Sequence, residues 1–156
     1  MDKPRVLFLC TGNSARSQMA EALLRNYAGE YFEVFSAGLE PRGINPLTIQ
    51  VMEELGLDLS GHTSKDLNTF IGKVSFDYMI TVCGRAEESC PIFPGMGTRL
   101  HWDIEDPSKF SGTSTEKLAK FRQVRDRLDQ KIRLWLSQQG IHISVKLSKA
   151  VTTNSI

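Results

Sequence analysis

Cysteine is scarce in this chain of 156 residues: there are three, Cys10, Cys83 and Cys90, and an odd number cannot all pair within one molecule. No Cys-x-x-Cys occurs, and His62, His101 and His142 form no pair at zinc-finger spacing, so the sequence gives little support to a metal site. Charge bias is missing too. Lys and Arg number 19 and Asp and Glu 18, a formal net charge of +1, which removes any bulk-charge case for nucleic-acid or membrane-surface binding. No apolar run approaches the roughly 20 residues that span a bilayer. The opening MDKPRVLFLC lacks the long apolar stretch and small-residue cleavage site of a secretion signal. The expectation is a cytoplasmic chain whose thiols stay reduced and are available for catalysis or redox exchange.

What is present reads as one domain with an ordinary hydrophobic fraction of 40%. Residues 5–10, apolar without a break from Val6 to Cys10, have the pattern of a strand buried on both faces of a parallel sheet. Residues 15–27 carry Met19, Leu23 and Tyr27 on one stripe, with Ala20 and Leu24 beside it, as an amphipathic helix does. Further strands are expected over 32–36, 76–83 and 99–104. Helices are expected from Pro46 to Gly56 and, as a long amphipathic element, over 114–138. The stripe of the last helix is Leu118, Phe121, Val124, Leu128, Ile132 and Trp135. Residues 62–71 read as loop and short helix. Strands alternating with helices imply βαβ units, hence an α/β fold with a parallel sheet and helices on both faces. The domain is expected to occupy residues 1–140. Residues 141–156 read as a polar, frayed tail, in which Ile141, Ile143 and Val145 alternate like a marginal strand.

In an open parallel sheet, ligands bind beyond the carboxyl ends of the strands, and Cys10 sits at such an end. After it come Thr11, Gly12, Asn13, Ser14 and Ala15, small residues of which Gly12 and Asn13 tolerate unusual dihedrals. Such a loop can curl its amides toward one point, and the helix that follows adds the positive end of its dipole. Arg16 adds a planar fork of donors matched to a tetrahedral oxyanion. The cradle so formed would hold a phosphate-like dianion over a sulfur. The same groups favour the thiolate of Cys10, and Ser17 is placed to donate a hydrogen bond to it.

The run CTGNSARS at 10–17 resembles the signature loop shared by low-molecular-weight tyrosine phosphatases and thioredoxin-coupled arsenate reductases. The continuation QMAE at 18–21 is similar to the reductase branch, since the phosphatases usually have proline where Gln18 stands. Further likenesses are SAG at 36–38, HTS at 62–64, His101-Trp102 and Asp106-Pro107, so the resemblance covers roughly residues 3–138. It implies a four-stranded parallel sheet flanked by helices, with a phosphatase-type anion loop after the first strand.

A phosphatase needs one nucleophilic cysteine, whereas this chain adds CGRAEESC at 83–90, just after the expected third strand. The resemblance implies a relay. Cys10 attacks arsenate, Cys83 attacks Cys10 as arsenite leaves, and Cys90 attacks Cys83, leaving a Cys83–Cys90 disulfide for thioredoxin or a similar dithiol carrier. AEES has helix-forming character. Seven residues of helix rise roughly 10 Å, while a disulfide needs Cα atoms within about 7 Å. A helical 83–90 segment must therefore unwind to close that bond, helped by Gly84 and Pro91 at its ends. Asp106 corresponds to the general acid of the related phosphatases. Ser108, Lys109 and Phe110 stand where those enzymes often carry tyrosines, which favours a small inorganic substrate.

Many such reductases have another cysteine at the position of Ala15. Some bind a potassium ion through positions matching Asn13, Glu21, Ser36 and an aspartate whose place Lys65 takes here, with Asp66 one residue late. A lysine there argues against a metal. Asn13 then reads as a prop for the loop, Glu21 as a solvated helix residue, and His62 and His101 as structural. The expected partners are arsenate, with phosphate or sulfate as analogues, and thioredoxin as external reductant, without a tightly bound cofactor, nucleic acid or membrane. Two rival readings stay open: a low-molecular-weight tyrosine phosphatase using Cys10, Arg16 and Asp106, and a non-catalytic oxyanion or redox-sensing module. Weak phosphatase turnover is expected even of a reductase.

Overall fold

The first strand, β1 (Arg5–Cys10), is buried from Val6 onward because it lies between two neighbours in the sheet. A computed structural model describes residues 2–90 and 92–143. β1 pairs in parallel with β2 (Glu33–Gly38) on one side and β3 (Tyr78–Thr81) on the other, and β3 pairs in parallel with β4 (Thr98–His101). The order β2-β1-β3-β4 gives the expected four-stranded parallel sheet. The other three strands are displaced or shorter than the apolar patterns suggest. β2 runs two residues past 36 to Gly38, where Cys10 pairs with it. β3 stops at Thr81 and β4 at His101, short of 83 and 104, since both chains turn away to build the site.

Helix α1 (Arg16–Ala28) follows β1, and α2 (Pro46–Glu53) starts with Asn45 as its cap, the side chain accepting from Leu47 N–H, and proline in the first turn. α2 ends three residues before Gly56, in turns that a left-handed Gly56 closes. Six residues, Gly84–Ser89, form α3. Helix α4 (Ser114–Gln138) coincides with the expected range and opens with a capping box between Thr113 and Glu116. Its stripe of Phe121, Val124, Leu128, Ile132 and Trp135 is buried, with Leu118 at the margin. Single 3-10 turns lie at Leu67–Thr69 and Pro107–Lys109. Phe35, Phe70 and Phe76 pack edge to face where the chain returns from β2 toward β3.

Ile141 and Ile143 form no strand, yet both pack against the core, so the ordered chain runs past residue 140. Val145 lies outside the described residues. Among those described, no helix is long and apolar enough to cross a membrane.

The chain leaves β1 toward β2 and later returns across β1 to reach β3, so the winding direction reverses between β1 and β3. Crevices at the carboxyl ends of strands form at such reversals. The loops after β1 and β3 carry Cys10 and Cys83.

Candidate active site

The loop after β1 is held from below by the side chain of Asn13. This residue has φ +47, a left-handed conformation that asparagine tolerates better than most residues. Asn13 Oδ1 accepts from the Lys65 amide at 2.8 Å and from Gln18 Nε2 at 3.0 Å, which fixes the orientation of its amide group. Nδ2 then donates to Ser17 Oγ at 2.8 Å and to Ser36 Oγ at 3.0 Å. A hydroxyl that accepts from Asn13 has its own hydrogen to give. Ser17 stands 2.9 Å from Cys10 Sγ and donates to it, and Ser36 donates to Glu21. The Asn13 amide adds a second donor to the sulfur at 3.2 Å. Two donors thus converge on one sulfur.

Glu21 is therefore not the solvated helix residue that the sequence suggests. It is buried, accepts from Ser36 and from Arg25 at 2.5 Å, and lies 3.9 Å from His62 Nδ1. His62 also meets Gln18 Oε1 at 3.0 Å, and burial holds its pKa below the usual value, against the pull of Glu21. Lys65 donates to Thr63 O at 2.6 Å, and its pKa too is lowered by burial. His101 contacts Thr81 Oγ1 at 2.8 Å. Among the described residues, no group of three or more His, Cys, Asp or Glu is placed to hold a metal ion.

Gly38 allows β2 to run against this loop, since a Cβ there would fall 2.7 Å from Thr11 O and 2.8 Å from Asn13 N. Beyond it, Leu39, Glu40 and Arg42 donate backbone hydrogen bonds to Cys10 O, Thr11 O and Gly12 O, lacing the next segment to the loop.

Above the loop opens a cavity of about 430 Å³. Cys10, Thr11, Gly12, Ser14, Ala15 and Arg16 face it from one side and Cys83 and Gly84 from another. Asn13, turned inward, is the one residue of the expected cradle that does not line it. All three cysteines are buried and unoxidised. Cys83 is the cap of α3: its sulfur accepts from Ala86 N–H at 3.3 Å and lies 3.3 Å from the hydroxyl of Thr11. Cys90 closes the other end of α3, beside Met79, and does not line the cavity. Burial raises the pKa of its thiol, with Arg99 working against that and Glu87 with it.

Arg16 donates to Ile104 O at 3.0 Å and stands 3.4 Å from Asp106 Oδ2. Asp106 caps its 3-10 turn by accepting from the amide and hydroxyl of Ser108. Burial pushes its carboxyl pKa up, but the Ser108 bonds and the charges of Arg16 and Lys109 outweigh this and leave it below the ordinary value.

Of three cations on the cavity wall, Arg42, Arg85 and Lys109, the sequence reading touches only Lys109, as a position without tyrosine, and it gives the polar Asn45 no role there. Arg85 lies inside the quoted 83–90 run, but nothing in that run says where it points. Arg42 comes from the β2–α2 connection, and only the pairing of that connection with the loop brings it in.

A buried thiol at the end of the first strand of a parallel sheet, followed by a loop and an arginine at a helix start, defines an α/β protein with a phosphatase-type anion loop. The family described as low molecular weight phosphotyrosine protein phosphatase matches residues 5–149, and the chain belongs to it. The chain is 43% identical over 133 residues to an arsenate reductase of Halalkalibacterium halodurans, which covers 85% of this chain and 95% of the relative. A solved arsenate reductase in the phosphate binding state superposes with a TM-score of 0.73 at 32% identity, over 86% of this chain and 98% of that one. A thioredoxin-dependent arsenate reductase of Corynebacterium glutamicum gives a TM-score of 0.65 at 34% identity, over 88% of this chain and 62% of that one.

Proposed function

We propose that this chain reduces arsenate to arsenite through a relay of Cys10, Cys83 and Cys90, with thioredoxin or a similar dithiol carrier as the electron source. The observation that carries the reading is that Cys10 and Cys83, distant in sequence, face one cavity across the Thr11 hydroxyl. The similarity to arsenate reductases over most of the chain supports it.

In this reading arsenate docks on the loop of residues 11–16 and on Arg16. The Cys10 thiolate attacks arsenic(V), and an oxygen leaves as hydroxide or, once protonated, as water. Asp106 supplies that proton. Its carboxyl is held ionised by Arg16 and Ser108 at rest, and a dianion that engages Arg16 removes part of that hold and favours the protonated form. The Cys83 thiolate then attacks Cys10 Sγ. The sulfur–arsenic bond breaks with its electron pair passing to arsenic, arsenite leaves, and a Cys10–Cys83 disulfide remains. Cys90 attacks Cys83 Sγ, which restores the Cys10 thiolate and leaves a Cys83–Cys90 disulfide for the carrier.

The last exchange requires a structural change. Cys83 and Cys90 bracket the helix α3, so that helix unwinds for the two sulfurs to meet, and Cys90 leaves the burial that disfavours its thiolate. The unwound segment presents the disulfide to its reductant.

The test is NADPH oxidation coupled through thioredoxin and its reductase, with arsenate as acceptor. Cys90→Ala is expected to release about one arsenite per enzyme and then stop, because the chain can reach the Cys10–Cys83 disulfide and go no further. Steady turnover by that variant would sink the relay. The family description favours a second activity, slow hydrolysis of aryl phosphates by Cys10, Arg16 and Asp106, which should be indifferent to the loss of Cys90.

A further inference from the structure

Glu40 lies between two arginines that both face the cavity. It accepts from Arg85, in the first turn of α3, and stands 3.4 Å from Arg42 on the β2–α2 connection. The side chains are half-exposed, 51% for Glu40, 59% for Arg42 and 56% for Arg85, so solvent weakens these pairs and a better anion can displace them. Their placement is nevertheless fixed. The amides of Glu40 and Arg42 donate to Thr11 O and Gly12 O, and a Cβ on Gly12 would stand 3.3 Å from Arg42 Cδ, so the stem of Arg42 lies over the anion loop. Arg85 follows Cys83 and Gly84, which line the cavity with it.

We propose that Arg42 and Arg85 are substrate-binding residues that grip the outer oxygens of a tetrahedral dianion, and that Glu40 is the resident counter-anion which the substrate displaces. The extension to arsenate rests on the reductase reading above; the anion-binding claim does not. The arrangement selects by charge. Arsenate enters as an anion and competes with Glu40 for two guanidinium groups suited to oxyanions. Arsenous acid, uncharged at neutral pH, cannot compete, so Glu40 takes the arginines back once the arsenic has been reduced. Arg16, held by Asp106 and Ile104 O deeper in the cavity, serves the reacting centre, and the outer pair serves capture and release.

The decisive sign comes from Glu40→Gln. A residue that merely stabilises the fold would weaken ligand binding when altered, whereas removing a competitor strengthens it. Calorimetric titration of the reduced full chain with inorganic phosphate should show Glu40→Gln binding several-fold tighter. Arg42→Gln and Arg85→Gln should each bind several-fold weaker, with Arg42→Lys in between because it keeps the charge and loses the fork. All these differences should shrink as salt is raised from about 0.02 to 0.5 M. With arsenate as substrate, the arginine variants should raise KM more than they lower kcat. Unchanged or weaker phosphate binding by Glu40→Gln, with its thermal unfolding unchanged, overturns the assignment, as does unaltered binding by both arginine variants. If the wild type reduces no arsenate while the order of phosphate affinities holds, the reductase reading falls and this site stands.

Discussion

The two sulfur-bearing segments that meet at the cavity are held in opposite ways. Directly below Cys10 the contacts are buried and made by uncharged side chains, with the Glu21–Arg25 pair behind Ser36: Asn13, Ser17, Gln18 and Ser36 are all at 0% exposure, and their donors and acceptors interlock. Around α3 the contacts are ionic and lie nearer the surface. Arg85 meets Glu40, while Arg99 from β4 donates to Glu87 O and approaches the Glu87 carboxylate at 3.4 Å and Cys90 O at 3.5 Å. Thr81 Oγ1 donates to Glu87 at 2.6 Å. Six residues of helix do not persist alone in water, so α3 exists because these tethers hold it. Permanence suits a loop that presents donors in one geometry, and detachable fastening suits the unwinding that the proposed relay asks of α3.

The largest blow to that contrast should come from Asn13→Ala. It strands several buried partners at a cost of about 1–3 kcal/mol each, so urea unfolding should show a loss of about 3 kcal/mol. Arsenate reduction should fall by about 100-fold, as misplacement by 1 Å can cost. Asn13→Gly accepts the positive φ without strain but lacks the hydrogen bonds, and recovery in that variant would assign the effect to the backbone instead. A smaller effect is expected from Arg99→Gln, which unties the carboxyl end of α3. Amide exchange across residues 84–90 should quicken by about tenfold, equal to ~1.4 kcal/mol, with the amides of 11–16 unaffected. Exchange rising equally in both segments would erase the distinction between them. The gentlest test is alkylation of a Cys10→Ala, Cys83→Ala double variant, in which Cys90 is the remaining thiol. Burial raises its pKa, so its thiolate is depleted at neutral pH and the reaction should gain speed only above the ordinary thiol range, about 8.5. Adding Arg99→Gln should alter that profile, since Arg99 opposes the upward shift.

Local patterns in the sequence carried the frame a long way. The unbroken apolar run of β1 and the stripe of α4 are set by near-neighbour spacing, and both elements appear where that spacing puts them. The 10–17 run likewise placed a thiol, a loop and an arginine, and the helical character of 83–90 was visible in AEES. What stayed hidden depends on contacts between distant residues. Nothing near Glu21 announces that Ser36 and Arg25 will cover it, because those partners arrive from β2 and from the next turn of α1. Glu40 and Arg42 become legible only after Gly38 lets β2 run close to the loop. The sequence carries β3 and β4 on to 83 and 104, past their ends at 81 and 101, because apolar residues continue into the loops that shape the cavity.

The reversal of winding between β1 and β3 places the anion cradle and the second sulfur on separate strand ends. The loop's scaffolding comes from the N-terminal third of the chain and residues near 65, whereas the octapeptide 83–90 follows β3, is tied to β4 through Arg99 and touches the N-terminal third only by way of Thr11 and Glu40. Under the proposed relay such a layout is nearly modular: a single-thiol hydrolase of this fold could carry the octapeptide without redesigning its nucleophile, given the Thr11 and Glu40 contacts that seat it.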